Sequence, residues 1–124
     1  MSEKFTKLKT LIAEVSDLNA AQAVLGWDQQ TYMPPGGAEA RGNQLATLGS
    51  LTHQKFTSEE IGKLIADLKA EFADADLDSD DARYLKVLSK DYDEATNVPS
   101  EYVARCAQST ARGHESWAKA REAS

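Results

Sequence analysis
Hydrophobic positions fall in the three–four rhythm of helices in five stretches, and no stretch alternates with the period of two that a strand requires. In the first, Leu8, Leu11, Val15, Leu18 and Leu25 form one stripe, which Phe5 and Ile12 widen and Gln22 interrupts. Ala20, Ala21 and Ala23 add helix propensity, so the pattern predicts a helix from about Ser2 to Tyr32. Met33-Pro34-Pro35-Gly36-Gly37 must stop it. Proline lacks an amide donor and restricts the residue before it, and the glycines free the turn.

A second helix is predicted over 38–56, with Leu45, Leu48, Leu51 and Phe56 inward. Thr57-Ser58-Glu59-Glu60 has the form of a capping box in which Thr57 accepts from the third helical amide and Glu60 reaches back. Behind it, Ile61, Leu64, Ile65, Leu68 and Phe72 line one face of a third helix that ends near Phe72. The fourth is predicted to start near Asp78 or Ser79, where Asp80 and Asp81 suit the helix dipole. Leu85, Leu88, Tyr92 and Ala95 mark its inner face, and Asn97-Val98-Pro99 ends it. The fifth begins near Pro99 and Ser100, with Tyr102, Val103, Cys106, Thr110 and Trp117 expected inward. Ala107, Thr110 and Gly113 along that stripe would let a neighbouring helix approach closely.

These elements predict an all-α fold: an antiparallel bundle of about five helices in one region, 1–124, with a long N-terminal hairpin turning at Met33 to Gly37. Crossing angles of about 20° suit the spacing. Ser116 to Ser124 still reads as helix and has no capping glycine or proline. That predicts either a frayed terminal helix or a chain continued in a larger parent. In the second case the fifth helix is expected to pack on another copy when the parent is missing.

Composition narrows the partners. The 124 residues carry a net charge of −6, with 41% hydrophobic and 27% charged positions, a globular balance sized for one domain. An acidic chain repels phosphates and anionic lipid, which argues against nucleic acid and membrane as partners. No apolar run reaches the roughly 20 residues that span a bilayer, and the N-terminus lacks a signal-peptide pattern. The single cysteine, Cys106, excludes an intramolecular disulfide and suits a reducing compartment. A cytoplasmic protein is the expectation.

Candidate chemistry is sparse. Of the two histidines, His53 and His114, the second begins a His-Glu pair, but position 118 is alanine, so the two-histidine zinc motif fails. The acidic run Asp74, Asp76, Asp78, Asp80 resembles a calcium loop. Ser79 or Asp81 stands where glycine is needed, and Leu85 or Val87 where glutamate is needed. A solvated, helix-capping linker is the better reading. Cys106 on an apolar face is expected to be a buried small hydrophobe rather than a nucleophile. Gly36-Gly37 lacks the lysine–serine pair of a phosphate loop. No catalytic, cofactor-binding or metal-binding residue is assigned. Asp28, Thr31, Glu39 and Arg41 gather at the proline turn, and with Trp27 they define a corner that either braces the hairpin or faces a cleft.

That corner is also where a resemblance lies. The run Leu25-Gly26-Trp27-Asp28-Gln29-Gln30-Thr31-Tyr32-Met33-Pro34-Pro35-Gly36-Gly37-Ala38-Glu39-Ala40-Arg41 closely resembles the N-terminal signature of the carboxypeptidase Taq family. The stretches around Ile12 to Leu18, Gln44 to Leu48, Tyr92 to Pro99 and Trp117 to Arg121 are similar to the same pattern. The resemblance implies a metal-dependent carboxypeptidase, all-helical, cytoplasmic and usually homodimeric, that removes residues singly from peptide C-termini. It implies zinc or cobalt, held by a His-Glu-x-x-His helix and a later glutamate in a deep cleft. Those motifs lie beyond the matched region, so none of their residues transfers to this chain. The implied role is a scaffold or lid segment, inactive alone, whose partners are the remainder of its own polypeptide, peptide substrates of the parent, and a second copy. The alternative from the residues is a free-standing helical protein-interaction module that offers an apolar groove.

Overall fold
The computed structural model describes residues 2–74, 76 and 78–124, and among these the only regular elements are five helices. They are α1 (Glu3–Thr31), α2 (Ala38–Phe56), α3 (Glu59–Glu71), α4 (Asp80–Thr96) and α5 (Ser100–Ala123). Each boundary follows from local chemistry. Ser2 caps α1 by accepting from the Phe5 amide at 3.2 Å. The Tyr32 and Met33 amides both return to the Asp28 carbonyl before Pro34 and Pro35 close the helix.

The cap of α3 is Ser58, one residue later than the sequence suggested. Its hydroxyl accepts from Ile61 N at 3.3 Å. Thr57 instead closes α2, because its hydroxyl donates to the His53 carbonyl at 2.7 Å. Glu60 is drawn outward to Lys7 of α1, so no capping box forms. Ser79 caps α4 through Ala82 N, with Asp80 and Asp81 in the first turn. Positions 75 and 77 of the acidic connection lie outside the described residues.

One core is built from large side chains. Phe5 and Leu8 of α1 meet Ile61, Leu64, Ile65 and Leu68 of α3 and Leu85 and Leu88 of α4. Phe5 lies between Phe72 and Tyr84, ring centres 5.7 and 5.9 Å away. Over it Lys9 places its ammonium 4.4 Å from the Phe5 ring and 3.3 Å from Asp81, which ties α1 to α4.

The second contact is of another kind. α1 and α2 form the expected antiparallel hairpin, and α5 lies antiparallel along α2. The buried face of α2 is Ala38, Gly42, Ala46, Gly49 and Thr52. A Cβ on Gly42 would sit 3.3 Å from the Ala111 Cβ, and one on Gly49 3.4 Å from Val103. Of the leucines expected inward, Leu45 and Leu48 are half-buried beside this face, and Leu51 is 51% exposed. The same holds on α5. Val103 and Ala111 meet α2, whereas Tyr102, Cys106, Thr110 and Trp117 are exposed. The reading of Cys106 as buried is therefore overturned. The reason is geometric: helices this close leave no room for leucine-sized side chains, so small residues take the seam. The fifth helix packs on α2 of its own chain.

Candidate functional site
The corner between α1 and α2 is organised by Arg41. Its guanidinium donates to Asp28 Oδ2 at 2.8 Å, to the Leu25 carbonyl at 2.7 Å and to Gln44 Oε1 at 3.0 Å. The side chain is only 14% exposed, against 32% for Asp28. One planar fork thus holds a carboxylate, a main-chain carbonyl and a neighbouring amide side chain, a task lysine's single ammonium cannot match. Asp28 serves twice, because its main-chain carbonyl also accepts the Tyr32 and Met33 amides that stop α1. The Gln29 Nε2 is buried with no hydrogen-bond partner among the described residues.

The other residues of the sequence cluster go elsewhere. Thr31 donates to the Trp27 carbonyl of its own helix at 2.8 Å. Glu39 faces α5, where Arg112 approaches it at 3.1 Å, and this hydrogen bond pushes the Arg112 titration up. Trp27 lies on the outer side of α1, 58% exposed, its ring 5.6 Å from that of Tyr32. The structure therefore brings Asp28 and Arg41 together and leaves Trp27 and Thr31 out of the network.

Two polar bridges had no sequence signal. Gln22 donates to Thr52 Oγ1 at 3.0 Å, which turns the interruption of the α1 stripe into an inter-helix bond. His53 spans three elements, with Nδ1 2.6 Å from Ser100 Oγ and Nε2 2.9 Å from the Ala95 carbonyl. The carbonyl can only accept, so Nε2 donates, and in the neutral ring Nδ1 receives the Ser100 proton. Both nitrogens are thus committed to protein partners. His114 packs against Trp117, at a ring distance of 6.3 Å. The Cys106 thiol is exposed and, by hydrogen bonding, pushes the Tyr102 hydroxyl up. No group of three or more His, Cys, Asp or Glu side chains is placed to hold a metal ion among the described residues. This donor set does not fit a metal centre.

Comparison with known proteins decides the lineage. The family model for Carboxypeptidase Taq metallopeptidase matches residues 7–124. The chain belongs to that family. It is 30% identical over 108 residues to Thermostable carboxypeptidase 1 of Thermus thermophilus, covering 87% of this chain and 21% of that protein. To Carboxypeptidase 1 of Bacillus subtilis it is 27% identical over 113 residues, 88% of this chain and 22% of that one. The chain thus spans about one fifth of the length of the curated relatives it matches. No solved structure matches it. No helix among the described residues is long and apolar enough to cross a membrane.

Proposed function
We propose that the chain is the N-terminal helical part of a metal-dependent carboxypeptidase that releases amino acids from peptide C-termini in the cytoplasm. Its role there is scaffold, and wall or lid beside the cleft, while hydrolysis belongs to the rest of the polypeptide. The observation that carries this reading is the family match over nearly the whole chain, set against relatives about four times as long. Helices that wall a cleft exclude water and restrict substrate length without contributing a reacting group.

The test is direct. The purified chain, dialysed against zinc or cobalt, is expected to retain no stoichiometric metal by elemental analysis and to hydrolyse no N-blocked dipeptide. Retained metal or turnover overturns the scaffold reading.

A free-standing interaction module is the second reading, favoured by Leu51 and Tyr102, which are 51% and 54% exposed where α2 meets α5. An in-frame His-Glu-x-x-His sequence following codon 124 would sink it. A functional transcript that stops there would sink the first reading instead.

A further inference from the structure
From Leu18 to Trp27, α1 carries no ionisable side chain on any face. Its inner side is accounted for: Gln22 bonds to Thr52 of α2, and the Leu25 carbonyl is held by Arg41. Its outer side exposes Ala20, Ala23, Val24 and Trp27 together. Val24 is 64% exposed and Trp27 58%. These four span about 100° of the helix wheel, linked by spacings of three and four.

Exposed positions elsewhere on α1, and those of α5 away from Tyr102, Cys106 and Trp117, carry charge. The first half of α1 shows Glu3, Lys4, Lys7 and Glu14 to solvent, and α5 shows Glu101, Arg105, Arg112, Lys119 and Arg121. A helix face in permanent contact with water has no reason to exclude charge for three turns. Here alanines, which allow close approach, stand beside a valine and a tryptophan, which fill a partner's surface.

We propose that this face of α1, Ala20, Ala23, Val24 and Trp27, is covered by an apolar helix from the rest of the carboxypeptidase. This rests on the reading that the chain is part of such an enzyme. The occupant is assigned to the parent chain because the relatives supply about three times as much additional polypeptide. The small residues set a close packing distance, and Trp27, steadied by Tyr32, is the anchor that a pocket on the covering helix receives.

The experiment grafts this chain onto Thermostable carboxypeptidase 1 of Thermus thermophilus in place of its matching 108 residues. The unaltered graft and a graft carrying Val24→Glu are compared for peptidase activity and melting temperature. The same substitution is made in the isolated chain. There the residue is in water, and helix content and melting are expected to stay unchanged. In the graft the charge would be buried without a partner, and active enzyme is expected to fall by on the order of tenfold or more.

An active graft that tolerates Val24→Glu without loss overturns the proposal and leaves the family scaffold reading intact. If the unaltered graft is inactive, the scaffold reading itself fails and the covered face falls with it. If the isolated chain instead forms a concentration-dependent dimer that Val24→Glu abolishes, while the graft is insensitive, the face belongs to a second copy and the assignment to the parent is wrong.

Discussion
The two packed regions of this molecule are held by opposite means. Around the start of α1, interlocking large side chains exclude water: Phe5, Leu8, Ile61 and Leu68 are at most 1% exposed. Between α2 and α5, Gly42, Ala46 and Gly49 let the helices come close enough for backbone and Cβ atoms to touch. The first contact gains its stability from apolar area, and the second from short-range dispersion that only small residues permit. A large core can lose an atom and leave a cavity. A small-residue seam fails in the other sense, when an atom is added.

That contrast can be broken at each end. The largest effect is expected from Leu68→Ala in the large-residue core, which should destabilise by about 2–5 kcal/mol in urea unfolding. A loss no bigger than that of an exposed leucine would show the core is not continuous. In the seam, Gly42→Leu should cost about 1–3 kcal/mol by forcing α5 away from α2. If the same change proved neutral, the close approach would not be what holds α5.

The joint between the regions is Arg41. Arg41→Ala should cost about 1–2 kcal/mol, partly discounted for the exposure of Asp28, and Arg41→Lys should recover only a fraction. A double-mutant cycle with Asp28→Ala separates that ion pair from the bond to the Leu25 carbonyl. At the entry to α3, Ser58→Ala should cost about 1 kcal/mol, and Thr57→Ala less, because Ser58 is the cap. Equal losses would restore Thr57 to the capping role.

The smallest effect concerns pH. Burial pushes the Tyr84 hydroxyl above its ordinary range. The folded state thus keeps this proton more tightly than the unfolded chain does. Its contribution is fully present below the unfolded value of about 10 and is lost as pH rises through the folded value. Tyr84→Phe should flatten the alkaline limb of the stability curve, followed by thermal melts and tyrosinate absorbance. An unchanged limb would mean that Tyr84 titrates as if exposed.

The elements were legible in the sequence because they depend on neighbours three and four residues away. The proline turn at Pro34, the Ser79 cap and the amphipathic stripe of α3 all lie within that reach, as does the family signature around Trp27 to Arg41. The partition of the corner was not. Asp28 and Arg41 were visible as a pair of opposite charges, but nothing in the sequence said that Glu39 would turn to Arg112, or that Thr31 would stay with its own helix. His53 gave no signal either, since its partners, Ser100 and Ala95, are distant in sequence and one of them is a main-chain carbonyl.

What the sequence by itself determined is the helix count, the hairpin, the large-residue core and the lineage, since all of these are written in local periodicity or in an uninterrupted motif. Only the tertiary structure decided which face of α2 and α5 turns inward. Hydrophobicity alone favours Leu51, Cys106 and Trp117 for burial, but the distance between two helix axes is set by the bulk at their contact. Once Gly42, Gly49 and Ala111 occupy it, the larger groups have no space there and are left outside.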